Sequence, residues 1–152
     1  MTKPYAILFV CTGNAFRSQM AEAFARLFGG DKVLALSAGI IPAGLHPRAV
    51  ASMQEIGINI SAQTSKILTA DLIERADCVV TVCDHAQENC PVIHGRKVLH
   101  WSIPDPLKKA GTPQEEEFLY EVRDDIGDRV KALLVELKLI SSSTAPKMNL
   151  VP

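Results

Sequence analysis

The segment between Tyr5 and Phe28 changes from a strand pattern to a helix pattern at a single cysteine. An apolar run over residues 5–10 has the length of a buried strand and stops at Cys11. From Ser18 onward, apolar or small residues recur at helical spacing. Between the two patterns lie small or polar residues: Thr12, Gly13, Asn14 and Ala15. This order of strand, short loop and helix predicts an α/β unit with Cys11 at the carboxyl end of the first strand.

The rest of the chain continues the alternation of strand and helix patterns. Further strands are predicted at 32–36, 78–82 and 98–101, and further helices at 47–56, 69–75 and 112–139. Such alternation is typical of a parallel sheet, so we expect a single-domain α/β fold with a four-stranded parallel sheet flanked by helices. The domain is predicted to span residues 1–140. Residues 141–152 are polar and contain prolines, and they are predicted to form a loosely ordered tail.

The composition limits which kinds of binding partner we expect for this chain. The 152 residues carry a formal net charge of -1, which gives no electrostatic support for binding nucleic acid or a membrane surface. The apolar run near the start is too short for a signal peptide or a membrane span, so we expect a cytoplasmic protein. We also expect it to be a monomer. Thiols are normally reduced in that compartment. The four cysteines are therefore interpreted as reactive, metal-binding or core residues before structural disulfides.

The loop after the first strand is suited to binding an anion. Successive backbone N–H groups in such a loop can point inward, and the following helix adds its positive end. Gly13 and Asn14 tolerate the left-handed backbone that this cradle requires. The predicted oxyanion-binding residues are Thr12, Gly13, Asn14, Ala15, Phe16 and Arg17.

Three side chains around this loop suggest covalent chemistry. Cys11 would be the nucleophile, since the cradle stabilises a thiolate. Arg17 can grip two oxygens of a tetrahedral oxyanion, and Ser18 can donate a hydrogen bond to the Cys11 sulfur. Together they predict attack on phosphate, arsenate or a phosphate ester. The alternative is a buried cysteine at a strand end beside a surface arginine.

The segment Cys11–Ser18 resembles the Cys-x5-Arg-Ser signature of low-molecular-weight protein tyrosine phosphatases and of their relatives, the thioredoxin-coupled arsenate reductases. The resemblance continues through Ser37-Ala-Gly39, Thr64-Ser65 and Asp105-Pro106, and it covers roughly residues 5–138. It implies that Asp105 is the general acid that protonates the leaving oxygen. The alternative for Asp105 is an aspartate that opens a turn before a proline.

Two features favour the reductases within that family. The phosphatases tend to carry tyrosines after the Asp-Pro pair, whereas Leu107-Lys-Lys follows here. In addition, Cys83 ends the third predicted strand and Cys90 follows seven residues later, which resembles the reductases' redox pair. The resemblance implies that Cys11 attacks arsenate and that Cys83 attacks Cys11 as arsenite leaves. Cys90 would then attack Cys83 and form a disulfide with it. Thioredoxin would reduce the Cys83–Cys90 disulfide, with glutaredoxin as the alternative donor.

Other interpretations stay open. The chain could be a phosphatase acting on phosphotyrosine or small esters, which needs Cys11 but no second thiol. It could also be a non-catalytic oxyanion- or zinc-binding module, or the later cysteines could be core residues. The candidate zinc ligands are Cys83, His85, Cys90 and His94. Cys78 lies inside an apolar strand pattern and is expected to pack in the core.

The resemblance also concerns a cation. Some reductases of the family bind potassium beside the anion loop, and Asn14, Glu22, Ser37 and Thr64 match those ligand positions. The position that follows Thr64-Ser65 and is acidic in those reductases is Lys66 here. We therefore expect the Lys66 ammonium to take the place of the ion, and we expect neither a bound metal nor a bound cofactor.

Overall fold

The computed structural model describes residues 3–84, 92–94 and 97–142. The strands are β1 (Tyr5–Cys11), β2 (Val33–Gly39), β3 (Cys78–Cys83) and β4 (Lys97–Ser102). The α-helices are α1 (Arg17–Gly29), α2 (Pro47–Glu55), α3 (Ala70–Arg75) and α4 (Glu115–Glu136), and a 3₁₀ turn at Gly30–Lys32 links α1 to β2. Most of the predicted tail, residues 143–152, lies outside the described residues, and so do Cys90 and His85.

The strands form one parallel sheet in the order β2-β1-β3-β4, which confirms the predicted fold class. β1 and β3 are the inner strands, and their residues are almost completely buried. This burial explains why both read as continuous apolar runs rather than as alternating patterns. Within the described segments, no helix has the length and apolarity needed to cross a membrane.

Two apolar layers hold the helices on the sheet. Successive side chains of a strand point to opposite faces, and β1 divides accordingly. Ile7 and Phe9 pack with residues of α1, α2 and α4 in the larger cluster. Leu8 and Val10 pack in a smaller cluster with residues of α3. One face of the sheet is therefore covered by three helices and the other by the short α3.

Most element boundaries lie within one residue of the predicted ones. Three differ by three residues: the end of the second strand and both ends of the last helix, which ends at Glu136 rather than at residue 139. The second strand continues to Gly39, because its last residues pair with β1 up to Cys11. The last helix begins at Glu115 rather than at Thr112. Thr112 acts one turn earlier, where its hydroxyl accepts a hydrogen bond from the Gln114 N–H at 3.3 Å. A Thr-Pro pair before acidic residues is compatible with either arrangement, so its position cannot be set from local sequence.

The carboxyl ends of the strands bring the predicted functional residues to one edge of the sheet. Cys11 is the last residue of β1 and pairs with Gly39 of β2, while Cys83 is the last residue of β3. In parallel α/β sheets this edge is where ligands bind. Gly39 also lies directly against the loop that follows β1, where a Cβ would be 2.7 Å from the Asn14 nitrogen and 2.8 Å from the Thr12 oxygen.

Gly39→Ala is therefore expected to displace the loop after Cys11. The new methyl would meet backbone atoms that cannot rotate away, so we expect a loss of about 1–3 kcal/mol in the free energy of unfolding, the usual range for overpacking. Gly13→Ala is the matched control, since its Cβ would meet the Ala43 Cβ at 3.4 Å, an ordinary contact. Urea denaturation measures both. Equal stability of the two variants would show that the loop yields without cost.

Candidate active site

The segment Cys11–Arg17, here called the anion loop, surrounds the sulfur of Cys11. Cys11 is only 4% exposed. Its sulfur lies 2.8 Å from the Ser18 hydroxyl oxygen and accepts a hydrogen bond from the Asn14 N–H at 3.2 Å. The Asn14 side-chain amide donates to that same hydroxyl oxygen at 2.8 Å. With its oxygen accepting from Asn14, the Ser18 hydroxyl can donate its hydrogen to a Cys11 thiolate, and it and the Asn14 N–H would together stabilise the negative charge.

The carbonyl groups of the anion loop point away from Cys11. Those of Thr12, Gly13 and Ala15 accept hydrogen bonds of 2.9–3.0 Å from backbone N–H groups of the segment 41–46. The Asn14 carbonyl accepts one from the Gln19 side chain at 2.9 Å. In a trans peptide the C=O of one residue and the N–H of the next point in opposite directions. The N–H groups of residues 13–16 therefore face into the loop, as an anion cradle requires.

The helix that follows adds to this cradle. The N-cap of α1 is Phe16, and among the described residues its side chain makes no capping hydrogen bond. The first turn contains no acidic residue. The positive end of the helix dipole is therefore directed at the loop without a neutralising carboxylate, which favours a bound anion. The Phe16 ring itself turns to the side and packs against His46, with ring centroids 5.1 Å apart.

Arg17 is anchored from a distant part of the chain. Its side chain is 8% exposed, and its Nη1 donates to the Ile103 carbonyl at 2.8 Å. The Ile103 N–H in turn donates to the carbonyl of Cys83 at 3.2 Å. A guanidinium has five donors in a fixed plane, so this contact helps to orient the group beside the loop.

Asp105 lies two residues beyond the carbonyl that Arg17 contacts. It is exposed, and its Oδ1 accepts a hydrogen bond from the Leu107 N–H at 2.9 Å. Prolines on both sides stiffen the segment, because a proline fixes its own backbone and restricts the residue before it. Asp105 thus opens a turn, as the alternative interpretation expects. The segment that carries it is held near the anion loop by the hydrogen bond between Ile103 and Arg17.

Cys83 lies close to Cys11 across the sheet. The register pairs Val10 with Thr81, so Cys83 is one residue further along β3 than Cys11 is along β1. A step of ~3.3 Å along the strand and ~4.8 Å across it separates the two Cα atoms by roughly 6 Å. That Cα distance suits a disulfide, but the one-residue offset directs the two side chains to opposite faces of the sheet, so the strand end has to rearrange for the bond to form. Cys83 is already in a disulfide, whereas Cys11 and Cys78 are free thiols.

Cys78 is placed at the opposite end of β3. It is fully buried in the larger apolar cluster, and burial raises the pKa of its thiol above the ordinary value. A thiol that stays protonated at neutral pH is a poor nucleophile, so its position agrees with a packing role.

The predicted cation ligands form a cluster that contains its own positive charges. The buried Glu22 accepts a hydrogen bond from the Ser37 hydroxyl at 2.7 Å and pairs with Arg26. The Lys66 ammonium lies 3.8 Å from Glu22 Oε1 and donates to the Thr64 carbonyl at 2.5 Å. Asn14 Oδ1 accepts from the Lys66 backbone N–H at 2.8 Å. These residues do not fit a potassium ion, because lysine and arginine already surround the carboxylate.

Several residues of this site were not identified from the sequence. They are the segment 41–46, Gln19, Gln63 and Ile103. Segment 41–46 and Ile103 act through backbone groups, for which residue type gives no signal. Gln19 and Gln63 resemble ordinary polar residues in sequence, and only the folded chain brings them together.

Comparison with known proteins agrees with this geometry. Residues 6–142 match the low molecular weight phosphotyrosine protein phosphatase family. A protein of Bacillus subtilis named arsenate reductase is 47% identical over 127 residues, which cover 82% of this chain and 91% of that protein. An arsenate reductase solved in an oxidized state superposes with a TM-score of 0.71 at 32% identity, covering 90% of this chain and 99% of the other.

A solved thioredoxin-dependent arsenate reductase from Corynebacterium glutamicum is also similar. It superposes with a TM-score of 0.70 at 30% identity and covers 91% of this chain, which spans 65% of that protein's length. The family match over residues 6–142 includes the sheet, the anion loop and the last helix. The chain therefore belongs to the low molecular weight phosphotyrosine protein phosphatase family, and within it the chain is similar to these arsenate reductases.

Proposed function

We propose that this protein reduces arsenate to arsenite by a relay of Cys11, Cys83 and Cys90, and that thioredoxin regenerates the thiols. The observation that carries the proposal is the second strand-end cysteine. Cys83 lies one residue further along the sheet than Cys11 and is engaged in a disulfide. A phosphatase needs only Cys11, because water completes its cycle. A redox-active Cys83 beside the anion loop is useful to a reductase alone.

The first step uses the anion loop. Arsenate is held by the inward N–H groups and by Arg17, and the Cys11 thiolate attacks arsenic. A hydroxide is expelled as water when Asp105 donates a proton, which leaves an arsenic(V) ester on the Cys11 sulfur. Donors that are already aimed at the developing charge need no reorganisation during the reaction.

The second step transfers the electrons. The Cys83 thiolate attacks the Cys11 sulfur, and the sulfur–arsenic bond breaks with its electron pair moving to arsenic. Arsenic(V) becomes arsenic(III) and leaves as arsenite, while two thiols become one disulfide, so two electrons balance the step. Cys90 then attacks Cys83 and frees Cys11 as a thiolate. The remaining Cys83–Cys90 disulfide is exchanged with the dithiol of thioredoxin.

We also propose that Lys66 replaces a potassium ion beside the loop. Its ammonium and the Arg26 guanidinium neutralise Glu22, which in turn accepts from Ser37. The backbone N–H of Lys66 holds the Asn14 side chain. In this proposal, the positive charge beside the loop is the Lys66 ammonium instead of a bound potassium ion.

Replacing the thiols one at a time tests the relay. Cys90→Ser should stop after one turnover with Cys11 and Cys83 joined, because nothing then attacks Cys83. Cys83→Ser should stall earlier, with no disulfide to Cys11. Peptide mapping after one equivalent of arsenate, together with thioredoxin-coupled turnover, measures both. Cys78→Ala is the control and should sustain turnover. Full turnover in both serine variants would refute the relay and favour a phosphatase.

Asp105→Asn tests the proton donor. Asparagine can still accept the hydrogen bond from the Leu107 N–H, so the turn should persist while the proton is lost. We expect turnover to fall by about 10²–10⁴-fold, the usual contribution of general acid catalysis, with phosphate inhibition unchanged. Asp31→Asn, in the 3₁₀ turn between α1 and β2, is the control. Turnover at the wild-type rate in Asp105→Asn would assign the acid elsewhere.

The cation proposal predicts indifference to potassium. Melting temperature and turnover should be the same in sodium and potassium buffers of equal ionic strength. Lys66→Asp removes the ammonium and adds a carboxylate, so this variant should gain a potassium-dependent rise in melting temperature. Lys32→Asp, an exposed change far from the loop, should gain none. A potassium-specific stabilisation of the wild type would contradict the proposal.

A further inference from the structure

Gln19 is a fully buried amide whose two ends are both engaged. Its Nε2 donates to the carbonyls of Asn14 and Thr64, each at 2.9 Å, and lies 3.2 Å from Asn14 Oδ1. Its Oε1 accepts from the Gln63 side chain at 2.8 Å. Rotating the amide by 180° would place Oε1 against three acceptor oxygens, so the contacts fix its orientation. The side chain is therefore held in one state from both sides.

The position does not require a polar residue for packing. Gln19 lies in the first turn of α1 and is followed by Met20, Phe24 and other buried apolar residues of the same helix. Methionine has a similar length and would fill the volume without needing partners for polar atoms. Burying an amide is costly unless its hydrogen bonds are made. What the amide contributes here is a donor directed at the anion loop.

The residue that Gln19 contacts is the strained one of the loop. Asn14 has a φ of +47°, in the left-handed region that side chains other than glycine adopt rarely. The carbonyls of Thr12, Gly13 and Ala15 are held by backbone N–H groups. In the described part of the chain, the Asn14 carbonyl is held by a side chain, that of Gln19.

We propose that Gln19 is a positioning residue for the anion loop, which keeps the Asn14 carbonyl outside and the Ala15 N–H inside the cradle. Without this donor, the peptide between Asn14 and Ala15 can turn over. A carbonyl oxygen would then face the oxyanion in place of an N–H group, and the two would repel each other. The proposal rests on the oxyanion chemistry proposed above, but it applies equally to a reductase and to a phosphatase.

Two variants of Gln19 test this role. Gln19→Met keeps the volume and removes both polar ends, and Gln19→Glu keeps the shape but replaces the donor by a carboxylate oxygen. The matched control is Arg123→Met. Arg123 is also buried, and it donates to the Ser52 carbonyl at 2.9 Å and to Glu55 at 3.1 Å, both on α2 rather than on the loop.

The readout is the binding of inorganic phosphate, measured by protection of Cys11 from alkylation and below the melting temperature of each variant. Both Gln19 variants should bind phosphate about 10- to 100-fold more weakly, as expected for the loss of one hydrogen bond to a charged group. The KM for arsenate should rise together with the dissociation constant for phosphate, and kcat should change less. Arg123→Met should lower the melting temperature and leave phosphate affinity within about twofold of the wild type.

Three results have distinct meanings. Weakened phosphate binding in either folded Gln19 variant, with an unaffected Arg123→Met, supports the proposal. Wild-type phosphate affinity in both Gln19 variants overturns it and leaves Gln19 as a residue that only stabilises the fold. If phosphate fails to protect Cys11 in the wild type, the anion-binding role itself is wrong, and both this inference and the proposed function are overturned.

Discussion

The site depends on which way four peptide groups face. Their carbonyls are bound on the outside by the segment 41–46 and by Gln19, and their N–H groups are therefore left on the inside. Within the loop the Asn14 N–H donates to the Cys11 sulfur, whereas the four carbonyls are held by groups outside it. The surrounding structure has to supply this orientation, and an inverted peptide would replace attraction for an oxyanion by repulsion.

The support for the loop is distributed over distant parts of the chain. The segment 41–46 follows β2, Thr64 and Lys66 precede α3, and Ile103 follows β4. Each element is held by the parallel sheet, whose strands all end at the same edge. The positions of β2 and β4 relative to β1 therefore determine the shape of the anion loop that follows β1. Electrostatics then adds the open end of α1.

The sequence predicts the parts of this structure that depend on local pattern. Alternating strands and helices predict the parallel sheet, and a thiol at the end of a strand predicts the place of the site. The outward hydrogen bonds of the loop follow no local sequence rule, since three of them join residues 29 to 31 positions apart and the fourth depends on a buried glutamine side chain. Gln19 illustrates the limit: in sequence it is a polar residue in a helix, and only the buried carbonyl of Asn14 gives it a role. The reach of β2 to Gly39 likewise depends on its pairing with Cys11.

The backbone of Ile103 connects Cys83 to Arg17. Its N–H is bound to the Cys83 carbonyl and the carbonyl of the same residue to the Arg17 guanidinium. These two groups flank a single Cα, and Pro104 restricts the rotation on its far side. The backbone at residue 103 therefore links the end of β3 to Arg17 of the anion loop. A displacement of the Cys83 carbonyl would reach the Arg17 guanidinium through one residue and two hydrogen bonds, a short connection between the thiol centre and the anion site.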